Sequence, residues 1–120
     1  MAVIAYVKDI SGVAMGDIDL ADCAWLALTT TNTSGSAFPC ASYSDRTIQV
    51  YGTFGGATIT VQGSLDGTNW FTLNDQSDNA MTFTTARGDS VQQLTRFIQP
   101  VLTGGDGTTS LNVRLCAKRG

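Results

Sequence analysis

Ten carboxylates, all of them Asp, and three cysteines are the side chains in this sequence best equipped for chemistry; it has no His and no Glu. Asp66, Asp75 and Asp78 stand close in sequence, as the oxygen ligands of a hard cation such as calcium would. They lack the Glu that closes an EF-hand loop, and Asp among Gly and Asn is ordinary turn composition. Asp17, Asp19 and Asp22 make a second acidic run, of the kind that gathers at a helix N-terminus without any ligand. Without His, acid–base work at neutral pH loses its commonest agent. Ser-His-Asp and Cys-His arrangements and imidazole metal sites are excluded outright. Lys8, a thiolate or an Asp pair remain, with no spacing that assembles them. The expectation is a protein that is not an enzyme, holds no metal and needs no cofactor.

Cys23, Cys40 and Cys116 are odd in number, widely spaced and free of any CxxC pattern. They read as thiols in a reducing compartment, buried as small hydrophobes; one disulfide plus one free thiol is the alternative. Seven basic residues against ten acidic ones give a net charge of −3. Scattered Lys and Arg do not make the phosphate-neutralising footprint of a nucleic-acid binder. No apolar run approaches the roughly 20 residues that span a bilayer. Met1 to Lys8 lacks a basic lead-in before an apolar stretch, so no signal peptide is read. Neither nucleic acid nor membrane is expected as a partner.

The elements that must position these groups are strands. Ile48, Val50, Gly52 and Phe54 alternate with Thr47, Gln49, Tyr51 and Thr53. Ile59 and Val61 alternate with Thr58, Thr60 and Gln62, and Leu111, Val113 and Leu115 with Asn112 and Arg114. A period of two with a Thr-rich outer face is the pattern of a half-buried antiparallel sheet. Gly55-Gly56 and Asp66-Gly67 are hairpin turn signals, and Gly104 to Gly107 is a tight turn. Arg87-Gly88-Asp89 reads as a turn that happens to spell an adhesion tripeptide. Pro100, lacking an N–H, places its strand at an edge, end or bulge. Val3 to Val7 suits a strand, whereas a helix over Ile18 to Leu28 capped by Asp17 competes with a strand over Trp25, Leu26 and Leu28 into Thr29 to Thr31.

The fold class expected is all-β: one antiparallel β-sandwich, jelly-roll-like, with seven to eight short strands and little helix. Residues 1–45 supply an N-terminal arm, first strands and a polar loop; residues 46–120 form the sandwich core of the same single domain. Trp70 is placed inside. Tyr51 and Tyr6 fall on outer or edge positions.

Two resemblances add to this reading. The stretch TITVQGSLDGTNW (Thr58 to Trp70), with Phe83, Thr95 to Pro100 and Leu111 to Leu115, resembles the discoidin-type galactose-binding sandwich. That likeness implies structural roles for Asp66 and Gly67 in the turn, Trp70 in the core and Arg96 beneath the sheet. Its functional implication is a carbohydrate-binding virion or tail module. The whole chain resembles more closely the capsid decoration, or cement, proteins of tailed bacteriophages. The features are VIAYVKD at the start, SDRTIQV (Ser44 to Val50), GTFGGATITVQGSLDGTNW and RFIQPVLTGGDGTTSLNVRL. This resemblance implies a non-enzymatic homodimer or homotrimer, made in the bacterial cytoplasm. It would sit on the virion surface and bind the major capsid protein across subunit seams. An arm over Met1 to Asp9 would then add a strand to a neighbour's sheet edge. Val3, Ile4, Tyr6 and Tyr51 are the expected capsid or oligomer contacts.

Overall fold

A computed structural model describes residues 3–8 and 20–118. In chain order the strands are β1 (Val3–Ile4), β2 (Val7–Lys8), β3 (Leu20–Leu28), β4 (Ser34–Gly35), β5 (Phe38–Pro39) and β6 (Asp45–Thr53). They continue as β7 (Ala57–Ser64), β8 (Phe71–Thr72), β9 (Thr82–Phe83), β10 (Arg87–Ser90), β11 (Phe97–Gly104) and β12 (Ser110–Lys118). Among the described residues there is no helix. The excess over the expected seven or eight strands comes from two-residue pairings that composition does not mark.

These strands form two sheets. One runs β1-β4-β11-β7-β8, with β5 also on β11 and β9 also on β7; the other runs β10-β6-β12-β3-β2. Every pairing between named strands is antiparallel except β1 with β4. Alternation drives each sheet to bury one face. Ile48, Val50, Val113 and Leu115 come from one side of the core, Ile59, Val61, Ile98 and Leu102 from the other, and all are at most 2% exposed. The all-β sandwich is therefore what the alternation required.

The turn signals are real, but two of them join different partners from those expected. Gly55-Gly56 links β6 in one sheet to β7 in the other, and Gly104 to Thr109 links β11 to β12 in the same way. They are corners of the sandwich, not hairpins. The two corners lock together: Thr109 Oγ1 donates to the Phe54 carbonyl at 2.9 Å, and the Asp106 N–H donates to Thr109 Oγ1 at 3.0 Å. Gly55 sits at φ 55° against this cluster, and an added Cβ there would lie 2.7 Å from Thr109 Oγ1. Asp66-Gly67 does sit in a connection between paired strands, β7 and β8.

Residues 20–28, open to two readings in the sequence, are strand. β3 lies beside β12 and carries the fully buried Trp25, whose indole N–H donates to the Ser36 carbonyl at 2.8 Å. The segment from Cys23 to Cys40 supplies part of the core, through Cys23, Trp25, Leu28, Phe38 and Cys40. Val3 to Val7 is not one strand. β1 joins one sheet and β2 the other, so the chain crosses the rim between them.

Pro100 stands inside a sheet, between β7 and the β4/β5 side. The Leu102 N–H donates to the Thr33 carbonyl, so residues of the same parity turn their nitrogens to that side. Pro100 falls at the break between β4 and β5, where no ladder donor is required.

Candidate functional site

Asp66 organises the best-defined surface loop. Its carboxylate accepts the backbone N–H groups of Thr68 and Asn69, each at 2.8 Å. It also accepts the Asn69 amide at 2.8 Å and the Ser64 hydroxyl at 2.9 Å. The Asn69 and Thr68 backbone bonds lead in holding the carboxyl well below the usual carboxylate range. Gly67 at φ 80° lets the loop lie over Phe97, whose ring is 3.4 Å from where a Cβ would be. The Arg96 guanidinium lies 5.6 Å from the centre of the same ring. Gly67 and Arg96 therefore meet at Phe97, beside the turn that Asp66 holds.

Two of the structural assignments are corrected. Trp70 is half-buried beside this loop; the tryptophan in the core is Trp25. Arg96 is exposed, and the arginine that supports the sheet from within is Arg46, 3% exposed. Arg46 has the inward parity of Ile48 and Val50, a signal available in the sequence. Its Nε donates to the Tyr43 carbonyl, Nη2 to the carbonyls of Cys40 and Thr95, and Nη1 to the Thr95 hydroxyl. Burial pulls its pKa downward, opposed by the neighbouring Cys40.

The expected contact residues do not share one surface. Val3 is 58% exposed on β1, and Ile4 packs against the core. The Tyr6 ring meets Phe38 edge-on at 5.0 Å and Trp25 at 6.4 Å, so it closes the rim of the core instead of standing free. Tyr51 lies on the other sheet, where its hydroxyl accepts from Arg114 Nε at 2.9 Å.

Three exposed apolar side chains that the sequence reading missed sit on segments that meet at the Asp66 end of this sheet. Leu65, Phe71 and Leu94 are 59%, 43% and 61% exposed, three of the five large hydrophobic side chains that face solvent among the described residues. They share one end of a sheet. Phe71 pairs with Gly63, Leu65 follows Ser64, and the Ser64 carbonyl accepts the Arg96 N–H two residues beyond Leu94. The available signal was a lone large apolar residue inside a polar turn, as in Ser64-Leu65-Asp66-Gly67 and Gln92-Gln93-Leu94-Thr95.

Asp66, Asp75 and Asp106 are committed to their own turns. Asp75 accepts the N–H groups of Ser77 and Asn79 within its own turn. Among the described residues no three His, Cys, Asp or Glu side chains gather as a metal site; Asp17 and Asp19 lie outside those residues. All three cysteines are free thiols, Cys23 and Cys40 buried as expected and Cys116 exposed. Cys116 shares the outward parity of Asn112 and Arg114. Burial raises the Cys40 and Cys116 pKa values, opposite to the shift an attacking thiolate needs.

No protein-family model and no curated protein matches this sequence. A solved structure matches the fold. The fold is similar to that of the SPBc2 prophage-derived protein YomS, with a TM-score of 0.57 and 10% identity over 82% of this chain and 93% of that one. At that identity the likeness is one of fold.

Proposed function

We propose that this chain is a bacteriophage virion structural protein that binds the outside of the capsid across subunit seams and stabilises the shell. The observation that carries the reading is the fold shared with a prophage-derived protein along nearly that protein's whole length. The sequence resemblance to decoration proteins supplies the shell as partner. The Leu65, Phe71 and Leu94 end supplies a contact surface, because exposed apolar groups grouped on a rigid support mark protein-binding sites. The Asp66 loop and the buried Arg46 network keep that support rigid, so little ordering entropy opposes docking.

A protein that binds only the assembled shell stabilises it by mass action, about 2.7 kcal/mol per site at a hundredfold excess over Kd. No bond is made or broken, and the role is not enzymatic. The carbohydrate-binding reading draws less support, since four internal hydrogen bonds already occupy the Asp66 carboxylate at the loop where that resemblance is strongest. The experiment is co-sedimentation of the purified protein with expanded capsids of its own phage. Saturable binding to expanded shells is expected; absence of binding overturns the proposal.

A further inference from the structure

The adhesion-like tripeptide is not a loop tip. Arg87-Gly88-Asp89 lies in β10, the last strand of its sheet, paired with β6 on one side. The Val91 N–H donates to the Arg46 carbonyl at 2.9 Å, in the register that sets Asp89 opposite Ile48 and Arg87 opposite Val50. Bonded pairs recur every second residue in an antiparallel ladder. Arg87 and Asp89 therefore turn their backbone groups toward β6, and Gly88 turns its N–H and C=O outward. Further along, the outer side is covered: Asp75 bridges Val91, and the outward Gln92 N–H donates to the Asn74 carbonyl at 2.8 Å. At Gly88 no described strand covers it, and Gly88 is exposed.

We propose that this edge pairs with the same edge of a second copy of the chain, antiparallel about a two-fold axis at Gly88. That register makes Gly88 opposite Gly88 a bonded pair exchanging both N–H···O bonds. It sets Arg87 opposite the partner's Asp89, and Asp89 opposite the partner's Arg87. Within one chain these two side chains already share a face, Nε to Oδ2 2.7 Å, and both are partly exposed. A charged edge ordinarily repels added strands. Here opposite signs two residues apart make the edge complementary to its own two-fold image, while an apolar or like-charged strand is penalised. The contact is isologous and closes at two copies, joining the two five-stranded sheets into one. It depends on the sheet edge alone, not on the capsid reading, and it is measured without capsids.

The test is sedimentation velocity on the full chain and three variants, at up to about 1 mM because a contact below standard interface size binds weakly. The wild type forms dimers. Gly88→Pro removes an outward N–H that the ladder with β6 does not use and shifts the dimer Kd upward tenfold or more, with an unchanged circular dichroism spectrum. Arg87→Asp and Asp89→Arg each place like charges together and are monomeric alone. Mixed in equal amounts, they pair Asp with Arg at both positions and recover a dimer. A monomeric wild type, a dimer that persists in folded Gly88→Pro, or a mixture that stays monomeric overturns the proposal. If Gly88→Pro does not fold, the charge mixture decides by itself.

Discussion

Arg46 binds both oxygens of Thr95, the hydroxyl through Nη1 at 3.0 Å and the carbonyl through Nη2 at 2.5 Å. Through the same guanidinium it reaches the carbonyls of Cys40 and Tyr43, so one buried cation ties β6 to the segments before β6 and before β11. Neutral carbonyls, not a carboxylate, satisfy it. Arg46→Met should strand those acceptors and cost about 2–4 kcal/mol, since bonds to charged groups are worth about 1.5–3 kcal/mol each and partly relax when broken. Urea unfolding checks this. Arg96→Met, at an exposed site, should change stability by about 0.5 kcal/mol or less.

Ala27 stands at φ 62° in a bulge where Leu26 and Ala27 oppose Asn112 alone. Left-handed backbone costs a residue with a Cβ about 1–2 kcal/mol. Glycine removes that strain and loses part of the gain to unfolded-chain entropy. Ala27→Gly should therefore raise the thermal midpoint by about 2–4 °C, read by calorimetry.

Asp66 gives the fold a defined acid response. Its folded pKa is depressed, chiefly by the Asn69 and Thr68 N–H groups, so its contribution is complete above the unfolded value. It is lost progressively as pH falls from that value, about 3.9, through the depressed folded one. A carboxyl-carbon NMR titration should show Asp66 still ionised at pH 3. In Asp66→Asn the acid-dependent loss of stability below pH 4 should shrink.

How much of this was legible in the sequence follows from how local each signal is. Alternation at Ile48/Val50, Ile59/Val61 and Leu111/Val113/Leu115 is local and one face is buried, so those strands and their inward residues were readable. Gly55-Gly56 marked a reversal correctly but not its partners, because sheet membership is set by distant segments. Arg87-Gly88-Asp89 has turn composition, yet four residues of ladder with β6 override it. Trp70 and Trp25 were indistinguishable by type; the distant partners Ser36, Tyr6 and Gly35, which enclose Trp25, separate them. The Leu65, Phe71 and Leu94 surface is built from two connections far apart in sequence, so no window contained it.

That surface should be separable from the core. Leu65→Ser, Phe71→Ser and Leu94→Ser remove exposed side chains, and each should change folding stability by about 0.5 kcal/mol or less. Together they should weaken capsid binding at least tenfold, as removal of central apolar anchors does. Titration of the triple variant against expanded shells, beside an unfolding curve, reads both quantities.

The most direct measurement is electron microscopy of particles assembled with and without this chain. The account predicts difference density on the outer shell at subunit seams, with the Leu65, Phe71 and Leu94 end facing the capsid. Identical shells in the two maps, or extra density confined to the tail, would contradict it.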